Sequence, residues 1–355
     1  MQPAKIDKTL GFCVLCLVVL GTLFVYSSSY YRAMRKGEDS TFYLLGHLKR
    51  LGVAIVFFCL GLFMPYSWVR KIVFPLFILI VLMLIATLIA GRTQFGARRS
   101  LAIASFGLQV SEFVRIWIVF FLANFFDAHP QIANTNRGML NTIIMSLFVI
   151  VLVAIQPSLS MAVICFTVLI FMLLYGCARL RLLGTTILVC ACLLVIFVMV
   201  FPHARYRVTS FITNPTYQVQ QSLIAIGSGG VFGKGPGAGL QKFLFLPRIH
   251  NDFIFAHIAE ELGFIGCIVI FILYWQIFIR GIRIAGSLDD DFTRLLVAGL
   301  NATIFITFLI HVGVSIGLLP PTGVPLPFIS FGGWSLAANL YAVGIILQIS
   351  KERIV

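Results

Sequence analysis

The chain has 355 residues, of which 60% are hydrophobic and 11% charged, and 26 Lys and Arg against 12 Asp and Glu leave a formal charge of +14. A water-soluble domain of this length has no core large enough to hide so much apolar side chain, so lipid is the solvent for most of it. The cations fall in short clusters between apolar runs rather than along one stripe, which argues against a nucleic-acid footprint and for anionic lipid.

Runs approaching the roughly 20 apolar residues that a bilayer demands fall at Leu10 to Tyr26, Leu51 to Met64, Ile72 to Ala90, Val110 to Phe126 and Leu140 to Ile155. They continue at Leu159 to Tyr175, Leu182 to Phe201, Phe253 to Ile279, Leu295 to Leu319 and Leu336 to Ile349. The pattern predicts an all-α polytopic membrane protein of about ten helices, organised as a single transmembrane domain over 1–355. The second run is short unless it recruits Tyr43 to Arg50, and Gln156-Pro157-Ser158 alone separates the fifth from the sixth. No small-residue cleavage site follows the first run, so it is kept as a helix rather than a signal peptide. The eight cysteines lie almost entirely within apolar runs and are expected to act as small core hydrophobes.

An even number of spans puts both termini on one side. The density of Lys and Arg in short loops assigns that side to the cytoplasm. The opposite side then keeps Arg32, Arg35, Lys36, Lys49, Arg50, Arg92, Arg98 and Arg99, with further cations in the stretch between the seventh and eighth helices. The positive-inside tendency would deplete those positions, so the surplus implies that something anionic is held there.

The stretch of about 202–252 is the one long non-spanning segment, rich in Gly and Pro yet punctuated by apolar residues, and it is expected to be ordered and extracytoplasmic. Within it, Gly227 to Gly239 clusters glycines around Lys234. Such a run either cradles an anion with backbone amides or makes a flexible turn, and it lacks the order of a Walker motif. Arg248, His250 and Asp252 follow where the loop meets the eighth helix; Asp252 reads either as a helix cap or as a chemical group. Glu260 and Glu261 lie about two turns into that apolar helix, where ionisable groups are functional or paired. Glu112 and Arg115 share a helix face at the start of the fourth helix and can pair. The histidines form no metal-ligand pattern.

Three segments carry a family resemblance: IGSGGVFGKGPGAG (226–239), LPRIHNDFIFAHIAEELGFIG (246–266) and GLLPPTGVPLPFISFGG (317–333). In that order, with Gln109 to Arg115 and Gln156-Pro157 at the expected places, the chain resembles the SEDS proteins of shape, elongation, division and sporulation: RodA, FtsW and SpoVE. The resemblance implies a ten-helix fold in the cytoplasmic (inner) membrane. It also implies an activity, polymerisation of lipid II (undecaprenyl-pyrophosphate-linked disaccharide pentapeptide) into glycan strands at the outer face. The implied partners are a class B penicillin-binding protein and other divisome or elongasome proteins.

The family's essential acidic residue falls on Asp252, expected to act as general base on the acceptor hydroxyl. Arg99, Lys234 and Arg248 are the cation candidates for the departing diphosphate, and His250, Glu112, Arg115, Gln156 and Glu260 complete the candidate substrate-binding set. No cofactor is specified; a divalent cation beside the diphosphate is compatible with the chemistry, though nothing in the spacing demonstrates one. The chain departs from the family pattern at Ser100, where an aromatic residue is usual, and at Ser158 and Ser160, which replace an acid and a glycine. A lipid II translocase and a non-catalytic scaffold are the competing readings, and the motifs leave elongation against division open.

Overall fold

The computed structural model describes residues 6–94, 97–103, 106–129, 136–156, 158–176, 180–213, 216–243, 245–247 and 249–352. Its elements in chain order begin with α1 (Lys8–Arg35), α2 (Phe42–Phe63), α3 (Ser67–Ala90), a small sheet, α4 (Ser111–Ala128), α5 (Asn136–Ile155) and α6 (Leu159–Tyr175). They continue with α7 (Leu180–Val200), α8 (Pro202–Thr213), α9 (Tyr217–Gly229), α10 (Ile254–Gly286), α11 (Asp291–Ser315) and α12 (Gly333–Ile349). Each predicted apolar run lies largely within one of these helices. The second does recruit the preceding residues, since α2 starts at Phe42. Among the described residues six helices, α1, α2, α3, α7, α10 and α11, are long and apolar enough to cross a membrane, and three shorter apolar helices accompany them.

The helices form because their backbone polar groups must be satisfied internally once water is absent. Their ends are fixed locally: the Asp7 carboxylate accepts from the Leu10 amide at 2.9 Å, and Asp290 does the same for Thr293 at 3.0 Å. The core gathers α4, α6, α11 and α12, where Val119, Leu169, Val297 and Ala338 are fully enclosed. By contrast α7 turns Leu188, Ile196, Met199 and Val200 outward, as a helix bathed in lipid can.

Two features exceed the sequence expectation. Between α3 and α4 lies an antiparallel three-stranded sheet of β1 (Arg92–Gln94), β2 (Ala97–Ile103) and β3 (Phe106–Leu108), so the helical fold carries a small β element. β1 and β3 have three residues each, too few for an apolar/polar alternation to stand out from a loop, and β2 reads ARRSLAI without a strict alternation. The segment after α7 also contains the helices α8 and α9 before it opens into irregular backbone. The seven cysteines among the described residues are free, and Cys177 lies outside them.

The turn between α11 and α12 folds back over the bundle and touches α1. A Cβ on Gly21 would stand 2.6 Å from the Ile329 Cα and 2.7 Å from the Phe328 carbonyl oxygen, both backbone atoms that cannot swing aside. Phe328 itself holds a φ of 65°, which a side-chain-bearing residue adopts only where its surroundings impose it. Gly21→Ala therefore displaces this turn, at a cost of about 1–3 kcal/mol from overpacking. A lowered thermal midpoint of the detergent-solubilised protein reports it, and an unchanged midpoint refutes the close approach.

Candidate functional site

The glycine-rich loop does bind an anion through its backbone, and that anion belongs to the protein. The Glu260 carboxylate is fully buried; it accepts from the amides of Leu240 at 2.8 Å and Gln241 at 3.1 Å and pairs with the Lys234 ammonium at 2.8 Å. Glu261 accepts from the Gly237 amide at 2.9 Å, from Ser27 of α1 at 2.8 Å and from the buried Lys242 ammonium at 3.0 Å. His257 stands 3.4 Å from the same carboxylate. Buried carboxylates persist only when donors saturate them, and the loop supplies those donors.

The crossing depends on two glycines. Gly263 breaks the helical backbone of α10 with φ 66°, and a Cβ there would meet the Gly233 nitrogen at 2.3 Å. Gly233 has φ 79°, and its Cβ would meet the Glu261 carbonyl oxygen at 2.2 Å. Only residues without a side chain allow the loop to pass so close to a helix. Lys234, expected from sequence to face a departing diphosphate, is instead spent on Glu260, because a carboxylate with no access to water holds the cation nearest to it.

Asp252 lies just beyond this lock. It precedes Phe253, the N-cap position of α10, so it is not the capping residue. Its Oδ1 accepts from the Asn251 side chain at 2.8 Å, and 8% of its surface stays exposed. The turn after α11 closes over it: a Cβ on Gly323 would lie 3.6 Å from Asp252 Oδ2. Ser330 fixes that turn by donating to the Asn251 carbonyl and accepting from the Leu326 amide, each at 2.8 Å. The Phe331 amide donates to the His250 carbonyl at 3.1 Å. Nearby free amides at the start of α10 favour a negative charge at Asp252.

A cleft of about 450 Å³ opens beside this junction. Its polar wall is Ser28, Arg32, Arg35, Lys36, Lys242 and His250, and Leu246, Pro247 and Ile249 form the apolar one. His250 packs its ring between Tyr43 at 5.3 Å and Phe331 at 5.6 Å, so its position is set by α2 as well as by the loop. Of the sequence candidates among the described residues, only His250 lines this cleft. Arg32, Arg35, Lys36 and Lys242 had no motif to announce them; the surplus of cations on the loop side was their only signal.

The remaining candidates are placed elsewhere. Glu112 and Arg115 pair at 3.1 Å in the closed interior, where Arg115 also donates to Thr307 of α11 at 2.9 Å and Asn339 of α12 at 3.0 Å. Gln156 donates to the Leu84 carbonyl at 2.9 Å and ties α5 to α3. These polar groups join helices within the bundle. Arg99 lies in β2, with its side chain outside the described residues, and Arg248 also lies outside them.

Comparison with known proteins gives a consistent answer. The model of the cell cycle protein family comprising FtsW, RodA and SpoVE matches residues 8–354. Stage V sporulation protein E of Bacillus subtilis is 34% identical, with 97% of each chain covered. The probable peptidoglycan glycosyltransferase FtsW of Trichlorobacter lovleyi is also 34% identical, covering 98% of this chain and 93% of its own. Among solved structures, a chain from a peptidoglycan synthase complex that coordinates polymerization and crosslinking superimposes with a TM-score of 0.81 at 24% identity, with 98% of each chain covered. The rod shape determining protein RodA of Thermus thermophilus gives 0.74 at 24%, covering 98% of this chain and 97% of its own. At these identities the structural matches establish the fold.

Proposed function

This chain belongs to the FtsW, RodA and SpoVE family, and from that premise we propose that it is a peptidoglycan glycosyltransferase that polymerises lipid II, with Asp252 as general base. The reaction takes place at the outer face of the cytoplasmic membrane, with both termini on the cytoplasmic side. The carrying observation is the position of Asp252, where the start of α10 meets the turn at Gly323, two residues from a cationic cleft.

The chemistry follows from that position. The acceptor sugar's 4-hydroxyl oxygen attacks the anomeric carbon of the donor, and the Asp252 carboxylate takes the hydroxyl proton. The bond from the anomeric carbon to the diphosphate oxygen breaks, and the lipid diphosphate leaves with the electron pair. Such a leaving group needs cations rather than a proton, so one carboxylate suffices. A class B penicillin-binding protein is the partner that would crosslink the product. The fold match to a chain of a peptidoglycan synthase complex supports that pairing.

The test is reconstitution. Purified chain with a class B penicillin-binding protein and labelled lipid II yields glycan polymer on a gel. Labelled lipid crossing vesicle bilayers without polymer would favour the translocase. Partner binding without either activity would leave a scaffold.

A further inference from the structure

The cleft beside Asp252 has more positive charge than the protein itself uses. Lys242 is neutralised by Glu261, and Lys36 donates to the Tyr43 hydroxyl at 3.1 Å. Arg32 and Arg35 have no carboxylate within ion-pair distance among the described residues, yet both line the cavity, Arg32 partly buried and Arg35 exposed. A cation in the last turn of a helix gains from the helix dipole alone. Two unneutralised guanidiniums converging on one concave wall with an ammonium and an imidazole exceed that need, and planar guanidinium is suited to bidentate capture of phosphate.

We propose that this cleft binds the diphosphate headgroup of a lipid-linked ligand, with Arg32 and Arg35 as its principal donors. The choice of a diphosphate rests on the polymerase reading; the choice of an anionic headgroup rests on the cleft. Its volume of about 450 Å³ is within the range of small-ligand sites. Two residues of chain reach at most about 7 Å, so a sugar joined to a diphosphate in the cleft lies within reach of Asp252 from His250. A membrane-anchored ligand is favoured over a free one by two features. Arg32 and Arg35 end a candidate membrane span, and Met34, Leu240 and Phe245 expose apolar surface in the segments that form the cleft. The edge-on contact of Phe243 with Tyr31 at 4.8 Å joins those segments.

The experiment measures binding of undecaprenyl diphosphate to the full chain in detergent by native mass spectrometry. Undecaprenyl monophosphate, phosphatidylglycerol and inorganic pyrophosphate serve as competitors. Arg32→Ala with Arg35→Ala weakens undecaprenyl diphosphate binding by about tenfold or more, the scale of charge-assisted hydrogen bonds lost, without moving the ligand-free thermal midpoint. The double lysine variant binds more tightly than the double alanine variant and more weakly than the wild type, because the charge remains while the bidentate fork is lost. Unchanged affinity in the double alanine variant overturns the proposal, as does phosphatidylglycerol competing equally with the diphosphate lipid. Binding that is lost with the two arginines in a wild-type chain that makes no polymer sustains the cleft and overturns the polymerase reading instead.

Discussion

Asp252→Ala abolishes glycan polymerisation and leaves a folded protein. A positioned general base contributes about a hundredfold to ten-thousandfold, and alanine keeps neither the acceptor for the proton nor the charge that draws the hydroxyl in. The side chain is only 8% exposed and accepts from Asn251, so alanine also costs some stability, and the thermal midpoint is measured beside the activity to separate loss of the base from loss of the fold. Asp252→Glu keeps the charge but advances it by one methylene, and a misplacement of about 1 Å costs on the order of a hundredfold. Both variants are read by quantifying polymer from labelled lipid II in the presence of the partner. Polymer from the alanine variant at the wild-type rate would remove Asp252 from the mechanism.

Glu261→Ala produces the largest loss of stability. It deletes the acceptor shared by Ser27, Gly237 and Lys242, and it leaves the ammonium of Lys242, whose side chain has no solvent exposure, without an opposite charge. Breaking a buried pair from one side costs about 3–5 kcal/mol. Glu260→Gln is milder, because the Lys234 side chain is 28% exposed and can turn to water. Thermal unfolding in detergent ranks the two, and adding Lys242→Met to Glu261→Ala recovers part of the loss by removing the stranded charge. Equal midpoints for wild type and Glu261→Ala would show that the loop is held by something other than this carboxylate. Activity falls along with stability, since the same lock sets the path of the chain from Gly233 to Asp252.

Much of this protein was legible as a string of letters. A bilayer imposes a length and an apolar composition on each span, so the runs from Leu10 to Ile349 announced ten of the twelve helices among the described residues, leaving out α8 and α9. The weight of Asp252 came from its surrounding motif and from its place where the loop meets the eighth helix. The cost of charge in lipid marked Glu260 as functional or paired, and a shared helix face marked Glu112 and Arg115 as a pair, without saying what else they hold. Their partners, Thr307 and Asn339 for Arg115 and the amides of Leu240 and Gln241 for Glu260, lie on other elements. Spacing along one helix carries no information about them.

The sequence by itself determined that the chain lives in a membrane, where its apolar helices lie and which carboxylate stands at the mouth of α10, because desolvation and helical periodicity act on neighbouring residues. Only the tertiary structure decided which cations are free. Lys234 was claimed by Glu260 across a loop, whereas Arg32 and Arg35 have no carboxylate partner among the described residues and stand beside Lys242, more than 200 positions away. Charge neutralisation is settled by distances in space, and those are fixed only once the helices have packed.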